Sequence, residues 1–478
     1  MDALPLYRML PCAYGQRARA RPRSAVVARE RLERVMRVPA RMRKTPSVLV
    51  TAEFSDALGF LETLRADGDL SADAWLALDP RALVRCAGEV GMPRDELRSL
   101  VETVHHRVSV ARACPTIAAA IHADSVARHA IQRGDAFAPR SFLRRVPMGG
   151  AVDAVPLDRD VSRLFDGAAK MAGPRPPARR FRAAYEVLAR IPEELCDVMA
   201  RFPNNLAIAG GFAGSALLPH LDSVDDQDID LFVYGCDVNT ATAIATAVSE
   251  AIEYEKCYRT GNAVTWTAPN QPKIQLVARL YGSEDEMLIG FDVAAACVML
   301  CMPSVDAVEA WATPSFFAAV ATGAVWVDPC RQSATYAYRV IKYYARGWEL
   351  FLFGFDRKEH CVMSSSTRGA EGLAGILQIE ARHYRERAQL GRGRCMYALR
   401  SRYRNTSDYA TTIPTDVLRW TLFNDRTRNA MGVSSAAGDF DPVDIEWKAR
   451  DPGSQVTGSF NPLTTPFYTG SITPAYVT

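Results

Sequence analysis

Asn205-Leu-Ala-Ile-Ala-Gly210-Gly211 and, sixteen residues on, Asp228-Ile-Asp230-Leu-Phe-Val233 decide how this chain is read. The first run is short and apolar and ends in two glycines. A helix-like segment follows, and the second apolar run opens with two acids separated by isoleucine. Side chains at i and i+2 of a strand share one face, so Asp228 and Asp230 are expected side by side at a sheet edge. Paired carboxylate oxygens suit Mg²⁺, which takes carboxylates, water and substrate phosphates. Glycines at Gly210 and Gly211 let a backbone turn approach a polyphosphate, whose charge the next helix start favours. Together they point to nucleotidyl or phosphoryl transfer.

Working outward, 478 residues are too many for one ordinary core, and two or three domains are expected. An apolar fraction of 48% with 23% charged residues is that of a folded, soluble protein. The apolar runs at 293–302 and 316–327 are too short for a membrane span, and no signal-peptide core follows the first charges. Eleven cysteines without a CxxC pair fit free thiols in a reducing, intracellular compartment. Cys297 and Cys301 lack the further Cys or His of a zinc set. The seven histidines have neither metal nor triad spacing.

Charge is uneven along the chain. Residues 17–44 hold ten arginines and Lys44 against Glu30 and Glu33, a net of +9, whereas the whole chain carries +3 and the remainder therefore −6. Such an arm is expected to meet nucleic acid through its phosphates; a solvated helix face is the plainer reading, since no aromatics interleave the arginines.

Apolar residues at three- and four-residue spacing predict helices over 53–64, 72–78, 80–90, 93–106 and 117–133. They form a small all-helical module over 45–134, the kind of unit that meets a protein partner. Residues 135–180, with Gly173-Pro-Arg-Pro-Pro, read as a linker. One or two helices over 181–202 lead to Leu206, and another helix is expected over 238–254. Strands are expected over 263–267, 273–281 and 289–299, making a small mixed sheet. Further helices fall over 314–321 and 333–346. Residues 351–478 are a helical and turn-rich extension after a core at 181–350.

Gly210-Gly211 followed by Asp228-x-Asp230 resembles the nucleotidyltransferase superfamily that includes polymerase beta and the CCA-adding enzymes. The region is more closely similar to nucleotidyltransferase-fold proteins of large DNA viruses, with fungal and protist relatives. Lys273-Ile-Gln-Leu-Val-Ala-Arg-Leu-Tyr281 and Gly290-Phe-Asp-Val293 carry that resemblance further. So do Arg331-Gln-Ser-Ala-Thr-Tyr336, Tyr338-Arg-Val-Ile-Lys-Tyr343 with Arg346-Gly347, Asp451-Pro-Gly-Ser-Gln455 and Gly458-Ser-Phe460. It covers about 204–468 and leaves the first 200 residues aside.

The resemblance implies an α/β (α+β) fold: a mixed sheet flanked by helices, with the metal site at one sheet edge. It implies transfer of a nucleoside monophosphate from an NTP to a hydroxyl acceptor, with Mg²⁺ or Mn²⁺ on Asp228, Asp230 and a third carboxylate. In the run 273–281 the polar candidate is Gln275, a neutral amide. The next run offers Asp292, which is expected either to complete the metal set or to cap a turn or meet an arginine.

Ser215 is a candidate phosphate contact, although it falls on the helix after Gly211. Arg339, Lys342 and Arg346 form one helical stripe with Tyr343 adjacent, suited to neutralising a triphosphate and stacking a base. A solvated helix face is the competing reading. Two functions stay open: an active nucleotidyltransferase, or an inactive relative serving a virion as scaffold or nucleic-acid-binding protein.

Overall fold

A computed structural model describes residues 57, 59–63, 70–158, 163–164, 179–219, 228–259, 263–269, 271–327, 336–346, 348–354, 445 and 447. The arm at 17–44, the motif at 331–335, the motifs at 451–460 and nearly all of the extension lie outside the described residues.

Among the described residues, 57 and 59–63 are helical, and α1 (Ala72–Ala77), α2 (Pro80–Glu89), α3 (Arg94–Ala113) and α4 (Pro115–Arg133) follow. Local chemistry sets their ends. Ser71 and Asp79 accept backbone N–H bonds at the starts of α1 and α2, and Gly134 closes α4 in the left-handed region. Helix α3 runs to Ala113, past the expected end at 106, because Val108, Val110 and Ala111 continue its buried side.

The stretch read as a linker supplies short strands: β1 (Arg144–Arg145), β2 (Ala151–Val152), β3 (Arg163–Leu164) and β4 (Arg179–Arg180). Two-residue strands carry no periodic signal, and their pairing is set by tertiary contacts. Next come α5 (Ala184–Leu188), α6 (Glu193–Arg201), β5 (Leu206–Ala209), α7 (Gly211–Leu217), β6 (Ile229–Tyr234) and α8 (Val238–Ala251). Asp237 caps α8 by accepting from the Thr240 N–H at 2.8 Å. Strands β7 (Lys256–Arg259), β8 (Ala263–Thr267) and β9 (Ile274–Tyr281) follow.

The run expected as a strand at 289–299 breaks up. Helix α9 (Glu284–Ile289) ends at its start, Asp292 lies in a loop, and a 3₁₀ turn (Ala294–Ala296) precedes β10 (Val298–Ser304). Gly290 and three successive alanines favour turn and helix over strand, which begins only where Val298 restores a β-branched residue. The acid-rich start of α9 is held in place. Ser283 caps it, while buried Asp285 accepts backbone N–H bonds from Arg140 at 2.7 Å and Phe142 at 2.9 Å. Glu284 meets the Arg140 guanidinium at 3.1 Å.

The chain then forms β11 (Ala307–Ala312), α10 (Pro314–Thr322), β12 (Ala324–Trp326), α11 (Tyr336–Ala345) and β13 (Glu349–Phe351). Eight strands make the main sheet in the order β1-β11-β10-β5-β6-β9-β8-β7. All neighbours are antiparallel except β6 and β9. The result is a mixed α/β fold whose main sheet has eight strands, larger than the small mixed sheet expected. Helices α4 and α10 pack together, and α6 and α8 do likewise. Apolar residues of the first helices join those of the sheet in one contiguous core. Ile445 is buried in that core, and the Trp447 indole N–H donates to Thr242 on α8 at 3.2 Å. No described helix is long and apolar enough to cross a membrane.

Candidate functional site

The site lies where β5 ends and β6 begins. Strand β5 is wholly buried, and it runs into Gly210 at φ 87°. That conformation strains any side chain with a Cβ. A Cβ placed there would lie 4.0 Å from the Asp230 carboxylate. Glycine therefore turns the chain sharply and keeps the face of Asp230 clear.

Asp228, just ahead of β6, is exposed, Ile229 is fully buried and Asp230 is half-buried. The backbone N–H of Ile229 donates to the Lys273 carbonyl at 2.7 Å, which fixes the strand start between the two acids. Register then sets a row across the sheet. Ala209 stands opposite Asp230, Asp230 opposite Gln275, and Gln275 opposite Thr265. The Gln275 amide nitrogen donates to the Thr265 hydroxyl at 2.9 Å.

Helix α11 brings basic groups to the acids. Asp230 is pushed up to about 7, first by burial and then by the like charge of Asp228; Lys342 and Arg346 pull the other way. Lys342 is brought down to about 8, again chiefly by burial and then by Arg346, against the attraction of Asp228 and Asp230. Protein enclosing both groups outweighs their mutual attraction. No ion pair within 4.0 Å closes between Asp228 or Asp230 and Lys342 or Arg346, although they act on one another electrostatically. Facing opposite charges, separated and poorly solvated, suit an inserted ligand with both a cationic and an anionic part.

The remaining candidates sit differently. Asp292 is buried in the loop before the 3₁₀ turn, and its carboxylate accepts from the Arg339 guanidinium. Lys342 on α11 and Arg346 just past its end thus act electrostatically on Asp230, while Arg339 engages Asp292. Tyr343 is buried, with the Arg346 guanidinium 5.2 Å from its ring centre. The ring backs Arg346. Ser215 is buried in α7, and its hydroxyl donates to the Phe212 carbonyl at 2.9 Å. Among the described residues, no group of three or more His, Cys, Asp or Glu side chains comes together that could hold a metal.

Sequence reasoning did not find the bond between Gln275 and Thr265. Its signal was the alternation Thr265, Thr267 on a strand next to Gln275, which becomes informative only once the pairing register is known.

Residues 182–321 match the family model of Gad2, the Gabija anti-defense 2 family protein. The match runs from just before α5 to the last turn of α10, so it contains β5, Gly210, Asp228, Asp230, Gln275 and Asp292 but stops short of α11. An uncharacterized protein of Acanthamoeba polyphaga mimivirus, R883, is 27% identical over 173 residues, covering 32% of this chain and 37% of that protein. The chain thus spans little more than a third of the length of this viral relative. No solved structure matches.

Proposed function

We propose that the chain is a Mg²⁺-dependent nucleotidyltransferase acting on a nucleoside triphosphate. The observation that carries this reading is the separation of the Asp228/Asp230 pair from Lys342 and Arg346, which face it without closing an ion pair. The donor set fits a hard cation: two carboxylates, with the rest of the coordination left to substrate phosphates and water. When bound, the cation supplies Lewis-acid polarisation of the phosphate oxygens.

The chain's own groups do the rest. Asp228 and Asp230 hold the cation, and Gly210 leaves space beside Asp230. Lys342 and Arg346 take up phosphate charge from the opposite side, with Tyr343 backing Arg346. An acceptor hydroxyl oxygen forms a bond to the α-phosphorus. The bond from that phosphorus to the bridging oxygen breaks, pyrophosphate leaves, and the hydroxyl proton passes to solvent. The family description supplies a setting for this chemistry, the countering of the Gabija defence system. We carry it over as part of the proposal, together with nucleic acid as the partner of the 17–44 arm.

A second reading has its own observation. Gln275 is neutral and Asp292 is engaged by Arg339, which leaves two carboxylates facing the basic helix. On that reading the site retains a metal–nucleotide without turning it over. Incubation with each of the four α-labelled nucleoside triphosphates and Mg²⁺ or Mn²⁺ separates the two. Pyrophosphate release that is lost in Asp230→Asn supports transfer. Nucleotide retained at the site and recovered unchanged supports binding alone, and failure to retain any nucleotide sinks both readings.

A further inference from the structure

The row Ala209–Asp230–Gln275–Thr265 bears on how much positive charge the site accepts. Ala209 offers no donor. Gln275 stands directly across the strand pairing from Asp230, on the same face, and its amide nitrogen is committed to the Thr265 hydroxyl. The amide is uncharged at every pH. Asp292 is buried against Arg339. Among the described residues, the anionic groups facing Lys342 and Arg346 are therefore Asp228 and Asp230.

Two divalent cations a few ångströms apart repel strongly, and sites that hold such a pair use several anionic oxygens to offset that repulsion. Here two carboxylates are present, and two fixed cations already face them. Lys342 and Arg346 act electrostatically on Asp230, and charges of that sign favour a bound phosphate and oppose a second metal ion.

We propose that the site takes one divalent cation with each nucleotide, and that Gln275 limits it to one. Gln275 is then a specificity-determining residue for metal stoichiometry. A carboxylate at the same register position supplies the missing charge beside Asp230. The inference rests on the metal–nucleotide reading given above and adds the number of cations and the residue that sets it.

Equilibrium dialysis of the full chain against Mn²⁺ and the non-transferable α,β-methylene triphosphates of the four common bases measures bound Mn²⁺ per bound nucleotide. The expected ratio is one for the native chain and for Gln275→Ala, and two for Gln275→Glu. Glutamate matches glutamine in size and accepts the Thr265 hydroxyl proton, so the sheet row is kept. A ratio of two in the native chain overturns the inference while leaving the metal–nucleotide reading intact, whether or not the variants fold. A ratio of one in folded Gln275→Glu overturns the role given to Gln275. Retention of neither Mn²⁺ nor nucleotide by the native chain overturns the underlying reading and the inference with it.

Discussion

Arg339 donates to the carboxylate of Asp292, and this bond ties α11 to the loop that leads into β10. Both side chains are largely withdrawn from water, so neither charge is well solvated without the other. Lys342 lies one turn along α11, and its place opposite Asp230 depends on how that helix sits. Asp292→Ala is expected to destabilise the metal-free chain by roughly 1–3 kcal/mol, because it removes a charged partner from the largely withdrawn Arg339 guanidinium. Arg339→Met combined with Asp292→Ala should cost less than the two single changes added together. Urea unfolding without added metal checks this. An Asp292→Ala chain as stable as the native one would remove the tie and return Asp292 to the candidates for metal ligation.

Asp230 makes a second prediction, in which the sign matters. Its folded-state value near 7 lies above the ordinary 3.8, so the folded chain holds this proton after the unfolded chain has released it. Its contribution to stability is fully present below about pH 4 and is lost as pH rises through about 7. Asp230→Asn has no such loss. The variant should therefore gain on the native chain steadily between pH 4 and 7, by an amount on the order of 4 kcal/mol at most and less for a side chain partly open to solvent. Denaturation midpoints at pH 5 and pH 7 test it, the upper limit being set about one unit below the value near 8 at which Lys342 is half discharged. A stability difference that does not change with pH would mean that Asp230 ionises normally. Binding of Mn²⁺ should also weaken below pH 7, since the proton competes with the metal for the same oxygens.

The sequence made the centre of the site legible for a local reason. Asp228, Ile229 and Asp230 are consecutive, and the apolar run after Asp230 marks the strand β6 without knowledge of its partner strands. Gly210 was legible in the same way, as the end of an apolar run that has to turn. Gln275 was visible as a residue but not as a neighbour of Thr265, because register is a non-local property. Asp292 is flanked by Phe291 and Val293, which suggests a strand; a fully buried loop and a buried strand look alike in hydropathy. The short strands β1 to β4 were invisible, as two residues have no period. The burial of Asp285 has no local signal, because its partners lie 143 and 145 residues away.

Gly210 gives the sharpest local test. Its φ of 87° with ψ −139° lies in a region open essentially to glycine alone, where an L side chain is strained by roughly 1–3 kcal/mol. The added methyl of Gly210→Ala would also meet the Asp230 carboxylate at ordinary contact distance, 4.0 Å, and displace water or phosphate from that side. Both effects act at one position but have different readouts. Backbone strain lowers the unfolding midpoint with or without ligand, while crowding lowers nucleotide affinity in the presence of Mn²⁺. Gly214→Ala is the comparison, since its Cβ would lie 3.2 Å from the Ala295 carbonyl within the packed interior, away from Asp230. It should reduce stability and leave the affinity of the folded protein for nucleotide close to native. If Gly210→Ala loses stability alone and binds Mn²⁺ and nucleotide as the native chain does, the turn at Gly210 is a structural device only, and the ligand lies against Asp228 and α11 rather than against β5.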